Sequence, residues 1–182
     1  MSGIVIFAHG SGSSGASPRN QQVAAVLREA GLETQLPDLV SDEEGDQRFN
    51  IELLATRLIA IVDRIAADPA TSHLRIGLFG ASTGAAAALT AAARRPDNVR
   101  AVVSRGGRPD LAPHALPLVE APTLFIVGGR DHPVIEMNHR AFDQLRCDKD
   151  LHIVPGATHL FEEPGALDKV ATLARDWFLT WL

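Results

Sequence analysis

A chain of 182 residues is long enough for one compact domain that buries about 70% of the surface its unfolded form exposes, and too short for a second full one. Its 46% hydrophobic, 21% charged and 5% aromatic content is that of an ordinary globular protein, which excludes a disordered or membrane-spanning chain. The 17 basic and 22 acidic side chains leave a formal charge of −5 and form no long run of either sign, so neither a nucleic-acid footprint nor a polybasic membrane patch is expected.

The first apolar run, Ile4–Ala8, predicts a strand. It starts almost at Met1 with no basic segment before it and is too short for a secretory or membrane-spanning segment, so a cytoplasmic location is expected. A helix over Asn20–Ala30 follows, with Val23, Val26 and Leu27 on one face and Gly31 as its left-handed cap. Glu33–Leu36 is the second strand. Ile51, Leu54, Leu58, Ile61, Val62 and Ile65 recur at helical spacing and mark a second helix. Strand Leu74–Phe79 runs into an alanine-rich helix, Thr83–Arg95, stopped by Pro96. Strands Ala101–Ser104 and Thr123–Val127, helix Val134–Leu145, strand Leu151–Val154 and helix Ala166–Leu182 complete the series. The lone cysteine, Cys147, has no partner for an internal disulfide, fits a reducing compartment and reads as a structural thiol near a helix end. Short apolar runs alternating with amphipathic helices predict one α/β domain over residues 1–182. Its sheet is doubly wound, mostly parallel and six-stranded, with any site at the carboxyl ends of the strands.

Two motifs compete at that end. Gly10-Ser11-Gly12-Ser13-Ser14-Gly15 satisfies the glycine pattern of a dinucleotide loop, and Asp38 lies where a ribose-binding carboxylate is wanted. Pro18 and Arg19 delay the following helix, which removes the tight packing that pattern requires, so an oxidoreductase stands only as a minor alternative. Gly80-Ala81-Ser82-Thr83-Gly84 is a strand-to-helix turn of G-x-S-x-G form, which exposes a serine in a strained conformation between small neighbours. A serine that merely caps the helix is the bland account of the same residues. The partners discriminate: Asp131 follows the fifth strand and His159 the sixth, in the order nucleophile, acid, base. Ser82, Asp131 and His159 are thus the candidate triad, with the Ser11 and Thr83 amides as oxyanion donors. His9 is a tentative substrate contact whose main expected role is bracing the first loop. Arg105 and Arg108 are tentative clamps for an anionic group, the bland account of such an arginine being a solvated loop charge or a structural pair with Asp110. His73, His114, His132, His139 and His152 show no metal-binding spacing, and neither a metal nor a cofactor is expected.

The set His9-Gly10-Ser11-Gly12, Gly80-Ala81-Ser82-Thr83-Gly84, Val127-Gly128-Gly129-Arg130-Asp131 and Gly156-Ala157-Thr158-His159 resembles the dienelactone-hydrolase-like branch of the α/β-hydrolase superfamily over essentially the whole chain. The resemblance implies a minimal core with strand order 2-1-3-4-5-6. It departs from dienelactone hydrolases proper in carrying Ser82 where they use cysteine. Arg105–Pro122, where relatives often insert a cap, is only 18 residues and proline-rich, so no helical lid is expected and the site should be open. The function expected is hydrolysis of a small carboxylic ester or lactone, anionic if an arginine clamp operates. A ligand-binding or signalling module that keeps the fold and turns over slowly or not at all is the alternative. Oligomeric state is not legible.

Overall fold

The computed structural model describes residues 3–182. Six strands, β1 (Gly3–Ala8), β2 (Glu33–Gln35), β3 (Arg75–Ala81), β4 (Val99–Arg105), β5 (Thr123–Gly128) and β6 (Lys149–Val154), form one sheet in the order β2-β1-β3-β4-β5-β6. Every neighbouring pair is parallel, so all the strand ends that follow the apolar runs lie on one edge. The helices are α1 (Pro18–Glu29), α2 (Ile51–Ala67), α3 (Thr83–Arg94), α4 (His132–Gln144) and α5 (Ala166–Trp181). No helix among the described residues is long and apolar enough to cross a membrane.

Strand side chains alternate between two cores, as the pleat requires. Ile4, Ile6, Ile76, Leu78, Val102 and Phe125 pack with α2, α3 and α4 on one face. Val5, Phe7, Phe79, Val103, Leu124 and Ile126 meet α1 and α5 on the other. Phe7 and Phe79, paired across β1 and β3, bring their ring centroids to 4.8 Å, within the range of favourable aromatic contact. Burial on both faces explains why these strands read as unbroken apolar runs rather than alternating ones.

Several boundaries differ from those expected. Helix α1 begins at Pro18, two residues early, because a proline is well suited to the first helical position and Ser17 caps it by accepting from Asn20 N at 3.4 Å. Gly31 takes φ +88° as its cap role demands. Strand β3 extends through Gly80 and Ala81, whose backbones stay in register with Ala8, Ser104 and Arg105. Residues 42–47 form a 3₁₀ segment held by a reciprocal Ser41–Glu44 capping box that reads as plain loop in the sequence. Between β4 and β5 there are only two single 3₁₀ turns, Pro109–Leu111 and Leu116–Leu118, and no helical lid.

Candidate active site

The turn between β3 and α3 is set by contact distances. Ser82 takes φ 51° and ψ −120°, a conformation costly for any residue with a Cβ. It is tolerated because the chain on both sides comes very close to its neighbours. A Cβ on Gly80 would lie 2.4 Å from Ala85 Cα, and one on Gly84 would lie 2.1 Å from Ala8 O. Glycine at these two positions therefore lets α3 press against β1 and β3, which pushes the Ser82 side chain up over the sheet edge. Although Ser82 occupies the N-cap position of α3, its hydroxyl caps no backbone amide. The bland account of this serine thus does not fit its hydrogen bonding.

The hydroxyl instead faces His159, with Ser82 Oγ 3.3 Å from His159 Nε2. On the far side of the ring, Nδ1 is 2.6 Å from Asp131 Oδ2. A carboxylate only accepts, so Nδ1 carries the proton and donates it, which leaves the Nε2 lone pair turned to the serine. Asp131 stands at the N-cap of α4, yet its side chain makes no cap bond and is spent on His159. The three sequence candidates are thus brought together from the ends of β3, β5 and β6. The His159 loop has a brace that the sequence did not reveal: Glu163 Oε1 accepts from Thr158 N at 3.1 Å and from Thr158 Oγ1 at 2.5 Å. The Thr158 hydroxyl bond, ahead of the backbone bonds, holds the Glu163 carboxyl below its usual range.

The expected oxyanion donors are adjacent but not symmetrical. Thr83 N is the first amide of α3, where helix geometry leaves amides without intrahelical partners. Ser11 N donates to Thr83 Oγ1 at 2.9 Å, so the threonine hydroxyl ties the first loop to the helix.

The dinucleotide alternative loses its carboxylate, because Asp38 Oδ1 accepts from Gly15 N at 2.7 Å and ties the glycine loop to the segment after β2.

Three tentative substrate contacts are resolved differently. His9 is 5% exposed and has both nitrogens engaged, Nδ1 donating to Gly10 O at 3.0 Å and Nε2 accepting from Leu39 N at 2.9 Å. It braces the loop and does not line the pocket, which corrects its assignment as a substrate contact. Arg108 grips Asp110 through Nε at 2.8 Å and Nη2 at 2.7 Å, so its fork is committed. Arg105, by contrast, is 7% exposed, and its Nε and Nη1 have no partner. Burial, reinforced by the nearby Arg19 charge, pushes its pKa down to about 10, which leaves it protonated at neutral pH.

Ser82, His159 and Arg105 open on a pocket of about 300 Å³ whose wall also includes Arg19, Ala81 and Leu160. Arg19 was missed because the helix was expected to start one residue after it. A larger cavity of about 560 Å³ lies at the opposite, amino-terminal edge of the sheet between His73, Arg75, Asp97 and Arg100, and holds none of these groups.

The sequence profile of the dienelactone hydrolase family matches residues 4–180. A crystal structure of a dienelactone hydrolase from Anabaena variabilis is 60% identical and superposes with a TM-score of 0.97, covering 100% of this chain and 87% of that one. Est1E from Butyrivibrio proteoclasticus, solved with ferulic acid bound, shares the fold with a TM-score of 0.87 at 18% identity, over 98% of this chain and 89% of its own. Proteins of two Mycobacterium tuberculosis strains, carried under the provisional name phosphoribosyl transferase, are 59% identical across 99% of this chain. The match covers 41% of their length, so the chain spans about two fifths of these relatives.

Proposed function

This chain belongs to the dienelactone hydrolase family, and from that premise we propose that it is a serine hydrolase cleaving a small carboxylic ester or lactone. The observation that carries the reading is the unbroken chain Ser82 Oγ, His159 Nε2, His159 Nδ1, Asp131 Oδ2, with contacts of 3.3 and 2.6 Å, in a pocket beside a strained turn.

Ser82 Oγ attacks the carbonyl carbon as its proton passes to His159 Nε2. Asp131 stabilises the imidazolium that forms and keeps Nδ1 protonated throughout. Negative charge collects on the carbonyl oxygen, where the Thr83 and Ser11 amides receive it. Because Ser11 N already donates to Thr83 Oγ1, the carbonyl oxygen takes over or shares that bond, and this donor is satisfied before substrate arrives. The tetrahedral adduct collapses, the bond to the leaving oxygen breaks, and His159 gives that oxygen its proton. Water then repeats the sequence on the acyl-enzyme, its proton going to His159 and its oxygen to the acyl carbon, and Ser82 is regenerated.

Ser82 is half-buried and no helical lid covers it among the described residues, which suits small acyl groups lying against Ala81 and Leu160. The transferase name of the Mycobacterium tuberculosis proteins belongs to chains of which this one matches 41%, and nothing in the Ser82 chemistry accounts for it. Steady-state hydrolysis of p-nitrophenyl esters of graded chain length tests the proposal. Turnover that falls steeply from acetyl to octanoyl esters and vanishes in Ser82→Ala is expected. Turnover equal in wild type and Ser82→Ala would defeat it.

A further inference from the structure

We propose that the pocket beside Ser82 contains an anion subsite, in which Arg105 from the end of β4 and Arg19 from the first turn of α1 hold a phosphate-class dianion carried by the substrate. The proposal rests on the hydrolase reading for the ester, and on the two arginines alone for the anion.

The argument begins with what the other arginines do. Arg57, Arg94, Arg95 and Arg108 each place two nitrogens on one carboxylate: Glu44, Glu52, Asp63 and Asp110 respectively. Arg105 is the more buried, at 7% exposure, and has no carboxylate at all. Among the described residues the only polar contact of its guanidinium is Nη2 to the neutral Asn20 Oδ1 at 3.4 Å, while Nε and Nη1 are unpartnered. A buried cation left this way is costly unless something compensates it.

Arg19 adds a second cation to the same pocket. Its Nε is likewise buried without a partner, and its charge repels that of Arg105. The nearest ion-pair partner, Glu162, is 3.9 Å from Arg19 Nη1 and 67% exposed, a contact screened by solvent. The residues lining the pocket include Arg19, Arg105 and His159 and no aspartate or glutamate. Two guanidinium groups lining one pocket, each with a buried N–H donor that has no protein partner, suit the oxygens of a tetrahedral anion, which such groups grip through paired hydrogen bonds. A dianion cancels both charges, whereas a monocarboxylate leaves one uncompensated. The Ser11 and Ser13 hydroxyls on the same wall can serve further oxygens. Because Ser82 shares this pocket of about 300 Å³, an anchored phosphate would fix where the scissile carbonyl lies.

Two measurements test this. In the first, Ser82→Ala protein is titrated calorimetrically with inorganic phosphate, and with acetate at matched ionic strength. Saturable phosphate binding, tighter than acetate and weakened about tenfold or more by adding Arg19→Gln, is expected from the loss of charged hydrogen bonds. Arg105→Lys, which keeps the charge but not the fork, should weaken it as well. Absence of saturable phosphate binding, equal binding of acetate, or binding indifferent to Arg19→Gln overturns the subsite. Arg19 is half-buried, so its variant reports even where a change at Arg105 prevents folding. In the second, kcat/KM is compared for a phosphorylated acyl ester and its uncharged methyl phosphotriester counterpart. A preference of about tenfold or more for the phosphorylated ester, collapsing in Arg19→Gln, supports the subsite, and equal loss on both esters contradicts it. Phosphate binding that persists while neither ester is cleaved would sink the hydrolase reading and leave the subsite standing.

Discussion

Replacing Asp131 by asparagine is the perturbation whose size follows most directly from the geometry. Asp131 Oδ2 lies 2.6 Å from His159 Nδ1, and the carboxylate side chain is 12% exposed. In the proposed mechanism His159 becomes an imidazolium in the transition state, its charge centre roughly 4 Å from that of the carboxylate. At the effective dielectric of about 20 that suits such sites, this pair is worth about 4 kcal/mol, close to a thousandfold in rate. The amide of Asp131→Asn can also turn its NH₂ toward Nδ1, which selects the tautomer with the proton on Nε2 and leaves no lone pair for Ser82. That adds roughly a further tenfold, so kcat for p-nitrophenyl acetate should fall by about 10⁴. The substitution is nearly isosteric and Asp131 caps no helix amide, so the melting temperature should stay within a few degrees of wild type. A folded Asp131→Asn protein that loses less than about tenfold would refute the claim that this carboxylate orients the base.

Other outcomes follow from the same coordinates. Gly84→Ala forces a Cβ to 2.1 Å from Ala8 O and 2.6 Å from His9 O. This should cost about 3 kcal/mol or more and lower the melting temperature by roughly 6 °C or more in calorimetry. Gly12→Ala, where a Cβ meets nothing within 4 Å, should change stability by less than about 0.5 kcal/mol, and a loss as large as that of Gly84→Ala would undercut the contact argument. Glu44, held by Arg57 and the Ser41 amide, has its carboxyl lowered from 4.5 to about 2. A depressed carboxylate contributes stability above its unfolded pKa and loses it as pH falls through the folded value. The melting temperature of Glu44→Gln should therefore lie below wild type at neutral pH, with the gap narrowing as pH drops from 4.5 toward 2. A gap that is constant across that range in circular-dichroism melts would show that Arg57 gains nothing from the charge.

The sheet was legible because burial on both faces makes each strand a short apolar run, and the order of the sheet came with the family resemblance. What the sequence missed is local and conformational. Pro18 reads equally as a breaker before a helix or as its first residue, and the second outcome is what brings Arg19 to the pocket and Asn20 to Arg105. Arg105 and Arg108 look alike beside Gly106-Gly107. Only strand register separates them, since Arg105 lies opposite Ala81 and Ile126 in the sheet whereas Arg108 is beyond its end and finds Asp110. Asn138 has no sequence signal, yet it is fully buried and donates to Gly107 O at 3.0 Å, pinning that loop to α4. His9 was readable as a brace, but its partner at Leu39 depends on a loop path that no periodicity encodes.

The central claim is that Ser82 is the nucleophile, and a fluorophosphonate probe tests it most directly. Incubation of the native protein should give a single adduct, which peptide mass spectrometry maps to Ser82 and which is absent from Ser82→Ala. An adduct that survives Ser82→Ala, or one mapped to another residue, would contradict the account.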